Sequence, residues 1–144
     1  MKAYADTSFL VRLYLTQSDS QKALRFMRGF RDPLPFTPLH RHELRNALRL
    51  AIFRKEIDAE RCKAAFLDIE SDLQDGILGH VSIPWTNAFR EAEQLGNGHT
   101  ETMGVRGVDL LHVGIAQALG MKQFLTFDSR QAELAIAVGF KVTF

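Results

Sequence analysis

The chain has 144 residues, 46% of them hydrophobic and 24% charged, a formal net charge of +1 and a single cysteine. That composition predicts one soluble cytoplasmic domain spanning residues 1–144. It excludes an internal disulfide and a paired-cysteine zinc site, and no apolar run reaches the roughly 18 residues of a membrane span or has the look of a signal peptide.

Taken in chain order, Lys2 to Ala5 reads as a short strand, followed by helical segments near Thr7 to Leu15 and Ser20 to Phe30. The connector "RDPLPFTP" carries a short strand at Leu34 to Phe36. Thr37 then serves as an N-cap, with Pro38 at the first helical position, where its missing N–H does no harm. Leu44, Ala47, Leu48, Ala51 and Ile52 recur at helical spacing up to an end near Lys55. Asp58 caps a second long helix with Cys62 on its apolar face, and Gly76 closes it. "LGHVSIP" reads as a strand and Thr86 to Leu95 as a helix that "GNGH" breaks. A helix over Val108 to Leu119, a strand at "FLTF", a helix over Ser129 to Val138 and a strand at "FKVTF" complete the chain. Strands separated by helices imply an α/β fold with parallel pairing and right-handed crossovers.

Two of these strands end in the same way. Asp6 closes "KAYA" and Asp128 closes "FLTF", each at the opening of a helix. Either can be a cap, and Gln131 offers Asp128 a capping box. Repetition points further, because parallel strands that each end in Asp place carboxylates on one sheet edge, where open α/β sheets bind ligands. Asp109 lies in the first turn of "VDLLHVGIAQAL", a position that the helix dipole also favours. Glu43 borders an apolar stripe in an Arg-rich helix, with Arg49 and His40 as possible partners.

The stretches "YADTSFLV", "HRHELRNAL", "RGVDLLHVGIAQALG" and "FLTFDSRQAELAIAVGFKV" together resemble the PIN-domain ribonucleases, and among them the VapC-like toxins of toxin–antitoxin pairs. The resemblance implies a three-layer α/β/α fold with a central, mainly parallel sheet. It also implies a Mg²⁺- or Mn²⁺-dependent endoribonuclease that is a homodimer and is held by an antitoxin. Asp6, Glu43, Asp109 and Asp128 map onto the family's catalytic, metal-binding acids. Thr7, Ser8, Thr126 and Ser129 occupy its polar flanks, and Arg106 stands where members place a basic residue near the substrate phosphate. Ser129, Arg130 and Gln131 stand where some members carry a fifth acid, so none is assigned. Two such carboxylates at ~5 Å repel by roughly 3 kcal/mol at an effective dielectric of ~20, so the cluster makes sense chiefly around a cation. The alternatives the resemblance leaves are an RNA-processing nuclease outside any toxin pair and a non-catalytic RNA- or partner-binding module.

Other motifs fail on single residues. A haloacid-dehalogenase phosphotransferase needs a second Asp where Ser8 stands, the zinc-protease motif begun by His42 and Glu43 meets Asn46 instead of its second His, and no Gly-rich phosphate loop precedes a Lys. His80, His99 and His112 are scattered and could serve in capping, core packing or substrate contact, a structural role being the commoner one for a lone histidine. Charge is uneven: from Gln21 to Lys55 nine Lys or Arg face two acids, whereas from Glu56 to Phe144 seven face thirteen. Arg25, Arg28, Arg31, Arg41, Arg45, Arg49 and Arg54 are therefore either a solvated face or a surface for a phosphate backbone. Phe30 and Phe53 lie in that stretch, where core packing is the commoner fate of a phenylalanine.

Overall fold

The computed structural model describes residues 2–144. Its elements are β1 (Ala3–Ala5), α1 (Thr7–Tyr14), α2 (Ser20–Gly29), β2 (Leu34–Phe36), α3 (Pro38–Phe53), α4 (Ala59–Gln74), β3 (Leu78–His80), α5 (Trp85–Met103), α6 (Gly107–Ala118), β4 (Gln123–Leu125), α7 (Ser129–Ala137) and β5 (Lys141–Thr143). Every strand pair is parallel, and the chain forms two compact units, one of residues up to Asp6 with Ser82–Phe144 and one of Thr7–Val81.

In the first unit the strand order is β1-β4-β5, with Ala5 in register with Leu125 and Leu125 with Thr143. Tyr4, Phe124, Leu125, Val113 and Ile115 are fully buried. The alternating pattern of a half-exposed sheet is absent from β1 and β4, as expected of parallel strands covered on both faces. Helix α5 is longer than its sequence predicts. It passes through "GNGH" to Met103 and stops at Gly104, whose φ of 66° is the left-handed cap. The glycines cost about 1 kcal/mol each in helix propensity, but packing on α6 outweighs that. A Cβ at Gly96 would sit 3.4 Å from Leu110, an ordinary van der Waals contact with α6. Gly114 is tighter still, because its Cβ would fall 2.6 Å from the carbonyl oxygen of Ala88.

In the second unit β2 pairs with β3, Leu34 in register with Leu78. The predicted strand "LGHVSIP" pairs only through His80. Thr37 caps α3 as predicted: its hydroxyl accepts from the His40 N–H at 3.2 Å, and its own N–H donates to His40 Nδ1 at 3.0 Å. A buried histidine thus completes a capping box that Glu or Gln usually forms. Asp58 Oδ1 accepts from the Arg61 N–H at 2.7 Å to open α4, and Cys62 is buried, both as expected. Tyr14 donates to Asp72 Oδ2 at 2.6 Å. Burial raises the Asp72 carboxyl above the ordinary carboxylate range, with Asp68 and Asp75 adding to the rise and the Tyr14 hydrogen bond opposing it. Burial and that same carboxylate push the Tyr14 phenol far upward, so it stays a donor. Among the described residues no helix is long and apolar enough to cross a membrane.

Candidate active site

Strand β1 and strand β4 run side by side in the same direction, so both their carboxyl ends lie at one edge of the sheet. The Asp6 N–H continues the ladder with a 3.1 Å bond to the Leu125 carbonyl. Its side chain is buried, 4% exposed, and Oδ2 accepts from the Thr126 hydroxyl at 2.6 Å. That hydroxyl also accepts from the Asp128 N–H at 3.0 Å. One threonine therefore ties the two strand-ending aspartates together, side chain to one and backbone to the other.

Asp128 is the predicted N-cap of α7: its Oδ1 accepts from the N–H groups of Arg130 and Gln131 at 2.9 and 3.2 Å. The reciprocal half of the capping box is not made. Gln131 is buried, and its side-chain atoms find no hydrogen-bond partner among the described residues. Capping engages one carboxylate oxygen of Asp128 and leaves Oδ2 for another ligand.

Asp109 sits in the first turn of α6, where the dipole favours it, and its Oδ2 lies 3.1 Å from Nε of Arg106, the N-cap residue of that helix. The Arg106 side chain is largely exposed. Asp109 and Asp128 line one cavity of about 370 Å³ with Arg106, Ser129 and Arg130. The arginine-for-acid departure after Asp128 thus brings a second cation to the same cavity. In the sequence Arg130 stands out only as a missing acid, although a basic residue next to "FDS" is the available signal.

Behind these side chains, Tyr4 and His112 make a buried hydrogen bond, OH to Nδ1 at 2.7 Å. Tyr4 lies two residues before Asp6 and His112 three after Asp109. The bond therefore pins the helix that carries Asp109 to the strand that carries Asp6. The structural reading of His112 holds, and nothing local in the sequence joins it to a tyrosine so far away in the chain.

In the Thr7–Val81 unit, Glu43 projects from α3 and its Oε1 accepts from the Thr7 hydroxyl at 2.7 Å. Thr7 is the residue that follows Asp6, so Glu43 is tied to the chain one residue beyond the buried aspartate. Of the two neighbours considered for it, His40 completes the Thr37 cap and the Arg49 guanidinium lies 4.9 Å above the Phe66 ring. Ser8 contributes its carbonyl, which accepts from Arg12 at 2.6 Å. Thr7, Ser8 and Arg12 border a cavity of about 360 Å³ between α1 and α3.

The model of the PIN domain matches residues 3–137 of this sequence. The chain belongs to the PIN domain family. PIN domains are generally nucleases, and they typically use divalent metal ions. The PIN fold recurs in solved structures of low sequence identity. The Mycobacterium tuberculosis VapC20, described as a sarcin-ricin loop cleaving toxin, superimposes with a TM-score of 0.65 at 17% identity over 96% of each chain. FitAcB from Neisseria gonorrhoeae gives 0.65 at 11% identity over 99% of this chain and 96% of the other. PAE2754 from Pyrobaculum aerophilum gives 0.59 at 18% identity over 93% and 79%. No curated protein matches the sequence.

The donor set of this PIN domain suits a hard divalent cation. Carboxylates and hydroxyls surround the carboxyl edge of β1 and β4 without a histidine or cysteine among them, and hard oxygens are what Mg²⁺ and Mn²⁺ select. Among the described residues no group of His, Cys, Asp or Glu is already gathered tightly enough to hold an ion. Each aspartate instead has an oxygen engaged by a neighbour: Thr126 for Asp6, Arg106 for Asp109 and the start of α7 for Asp128. These bonds aim the carboxylates much as outer partners aim metal ligands elsewhere.

Proposed function

We propose that this PIN domain is a Mg²⁺- or Mn²⁺-dependent endoribonuclease, acting as the toxin of a toxin–antitoxin pair. The observation that carries the reading is the threonine bridge. Thr126 joins Asp6 to Asp128 at the sheet edge, and Asp128 shares a cavity with Asp109. A bound divalent ion would supply a more acidic coordinated water and charge stabilisation at the scissile phosphate.

Asp6, Asp109 and Asp128 are the residues proposed to hold that ion, with Glu43 completing the set. The protein's own part is placement. Thr126 holds the Asp6 carboxylate and the Asp128 backbone, and Thr7 orients Glu43 to accept the proton of the attacking water. Arg106 and Arg130 stand on the same cavity as Asp109 and Asp128, where a guanidinium fork matches a phosphate. Water attacks phosphorus, the P–O ester bond breaks, and the leaving oxygen takes up a proton. Release of the Arg106 contact to Asp109 would open a carboxylate oxygen to the ion when substrate arrives. The toxin role is supported by the shared fold with VapC20. The partner it requires is an antitoxin that offers a Lys or Arg to these acids.

Purified protein should cleave single-stranded RNA with Mg²⁺ or Mn²⁺ and stop when EDTA is added, as read on a denaturing gel. Cleavage undiminished by EDTA would overturn the proposal.

A further inference from the structure

Helix α3 carries a second feature, away from Glu43. Arg41, Arg45 and Arg49 follow one another at four-residue steps, about 6 Å of helix rise each, and line a groove of about 380 Å³ with Pro38, His42 and Asn46. Glu43 lies on a different face of the helix, more than a quarter-turn from this row. The neighbouring α4 holds the row in place. Arg41 Nη2 meets Glu70 Oε1 at 2.6 Å, and the Arg45 and Arg49 guanidinium carbons stand 4.0 and 4.9 Å from the Phe66 ring centroid. Stacked, charge-paired arginines lose little further freedom when they bind, and a guanidinium with five donors is not exhausted by one interaction.

One turn beyond Arg49, on the same face, Phe53 is 82% exposed. This is the most exposed of the large hydrophobic side chains, and it overturns the expectation that a phenylalanine in this stretch belongs to the core. A basic groove that leads to an open aromatic ring is the combination that single-stranded nucleic acids use, with phosphates along the cations and a base on the ring. We infer that the α3 face from Arg41 to Phe53 is a binding track for single-stranded RNA, with phosphates on the arginines and a base stacked on Phe53. The inference rests on RNA being the substrate, and it adds to that reading a surface distinct from the carboxylates.

The test is fluorescence anisotropy with a labelled 20-nucleotide single-stranded RNA in EDTA, over a range of KCl. Phe53→Ala removes an exposed ring that the fold does not need. It should weaken binding by about fivefold or more without changing the salt dependence. Arg41→Gln combined with Arg49→Gln leaves Arg45 on Phe66. It should lower the slope of log affinity against log salt by roughly 1.4, at about 0.7 for each phosphate that the protein no longer neutralises. Wild-type affinity and slope in both variants would overturn the inference, whether or not the protein cleaves RNA. Binding weakened as expected in a protein that cleaves no RNA would uphold the track and reject the nuclease reading. A wild-type dimer that Phe53→Ala converts to monomer, with RNA affinity unchanged, would reassign the face to a second copy of the chain and overturn the inference.

Discussion

Asp109→Asn and Asp6→Asn should each lower Mg²⁺-dependent RNA cleavage by more than about 100-fold while the protein stays folded, as read from gel-based rates and far-UV circular dichroism. Loss of a single group that only positions a metal ligand costs about 10- to 100-fold, so loss of a ligand itself must cost at least as much. Stability should hardly move. The Asp109 ion pair joins a carboxylate to a largely exposed arginine, and such pairs contribute well under 1 kcal/mol. Asparagine also keeps an acceptor for the Thr126 hydroxyl at position 6. A variant that unfolds would make the acid structural, and one that cleaves at the wild-type rate would remove it from the site.

Gly114→Ala should be the most damaging small substitution in the fold, at a cost of about 3 kcal/mol measured by urea denaturation. The added methyl would lie 2.6 Å from the Ala88 carbonyl oxygen and 3.0 Å from the Ala92 nitrogen, both backbone atoms of α5 that cannot rotate away. Helices α5 and α6 must then separate, and overpacking of a well-filled interface typically costs about 1–3 kcal/mol or more. The shift would carry Asp109 with it, since α6 holds that residue in its first turn. Cleavage should therefore fall even below the unfolding temperature. A Gly114→Ala protein within about 0.5 kcal/mol of wild type would show that the α5–α6 interface is looser than described.

Local chemistry made much of this fold legible in advance. The strand-to-Asp-to-helix transitions at Asp6 and Asp128, the Thr37 and Asp58 caps and the Pro38 helix start depend on residues a few positions apart, and sequence shows these directly. Helix α5 outruns its sequence signal for the opposite reason. Gly96 and Gly98 look like breakers in isolation, and it is the packing of α5 on α6 as a whole, closest at Gly114, that carries a helix through them.

The site divides along the same line. That the two aspartates would end parallel strands at one sheet edge followed from βαβ order, but that β1 and β4 are neighbours and that Thr126 bridges the aspartates needed the pairing of Ala5 with Leu125. The Tyr4–His112 bond spans 108 positions and has no local signature. Phe53 was unreadable for a related reason: whether an aromatic on an amphipathic helix is covered depends on what packs there, and this ring is left open.

Asp6, Asp109 and Asp128, with Glu43, are proposed to hold a divalent cation. Anomalous diffraction from a crystal soaked in Mn²⁺ tests it most directly. A manganese peak is expected at the carboxyl edge of β1 and β4, within coordination distance of Asp128 Oδ2 and an oxygen of Asp109 or Asp6, with the Arg106 contact to Asp109 loosened. A crystal with manganese bound elsewhere and this edge unchanged would contradict it.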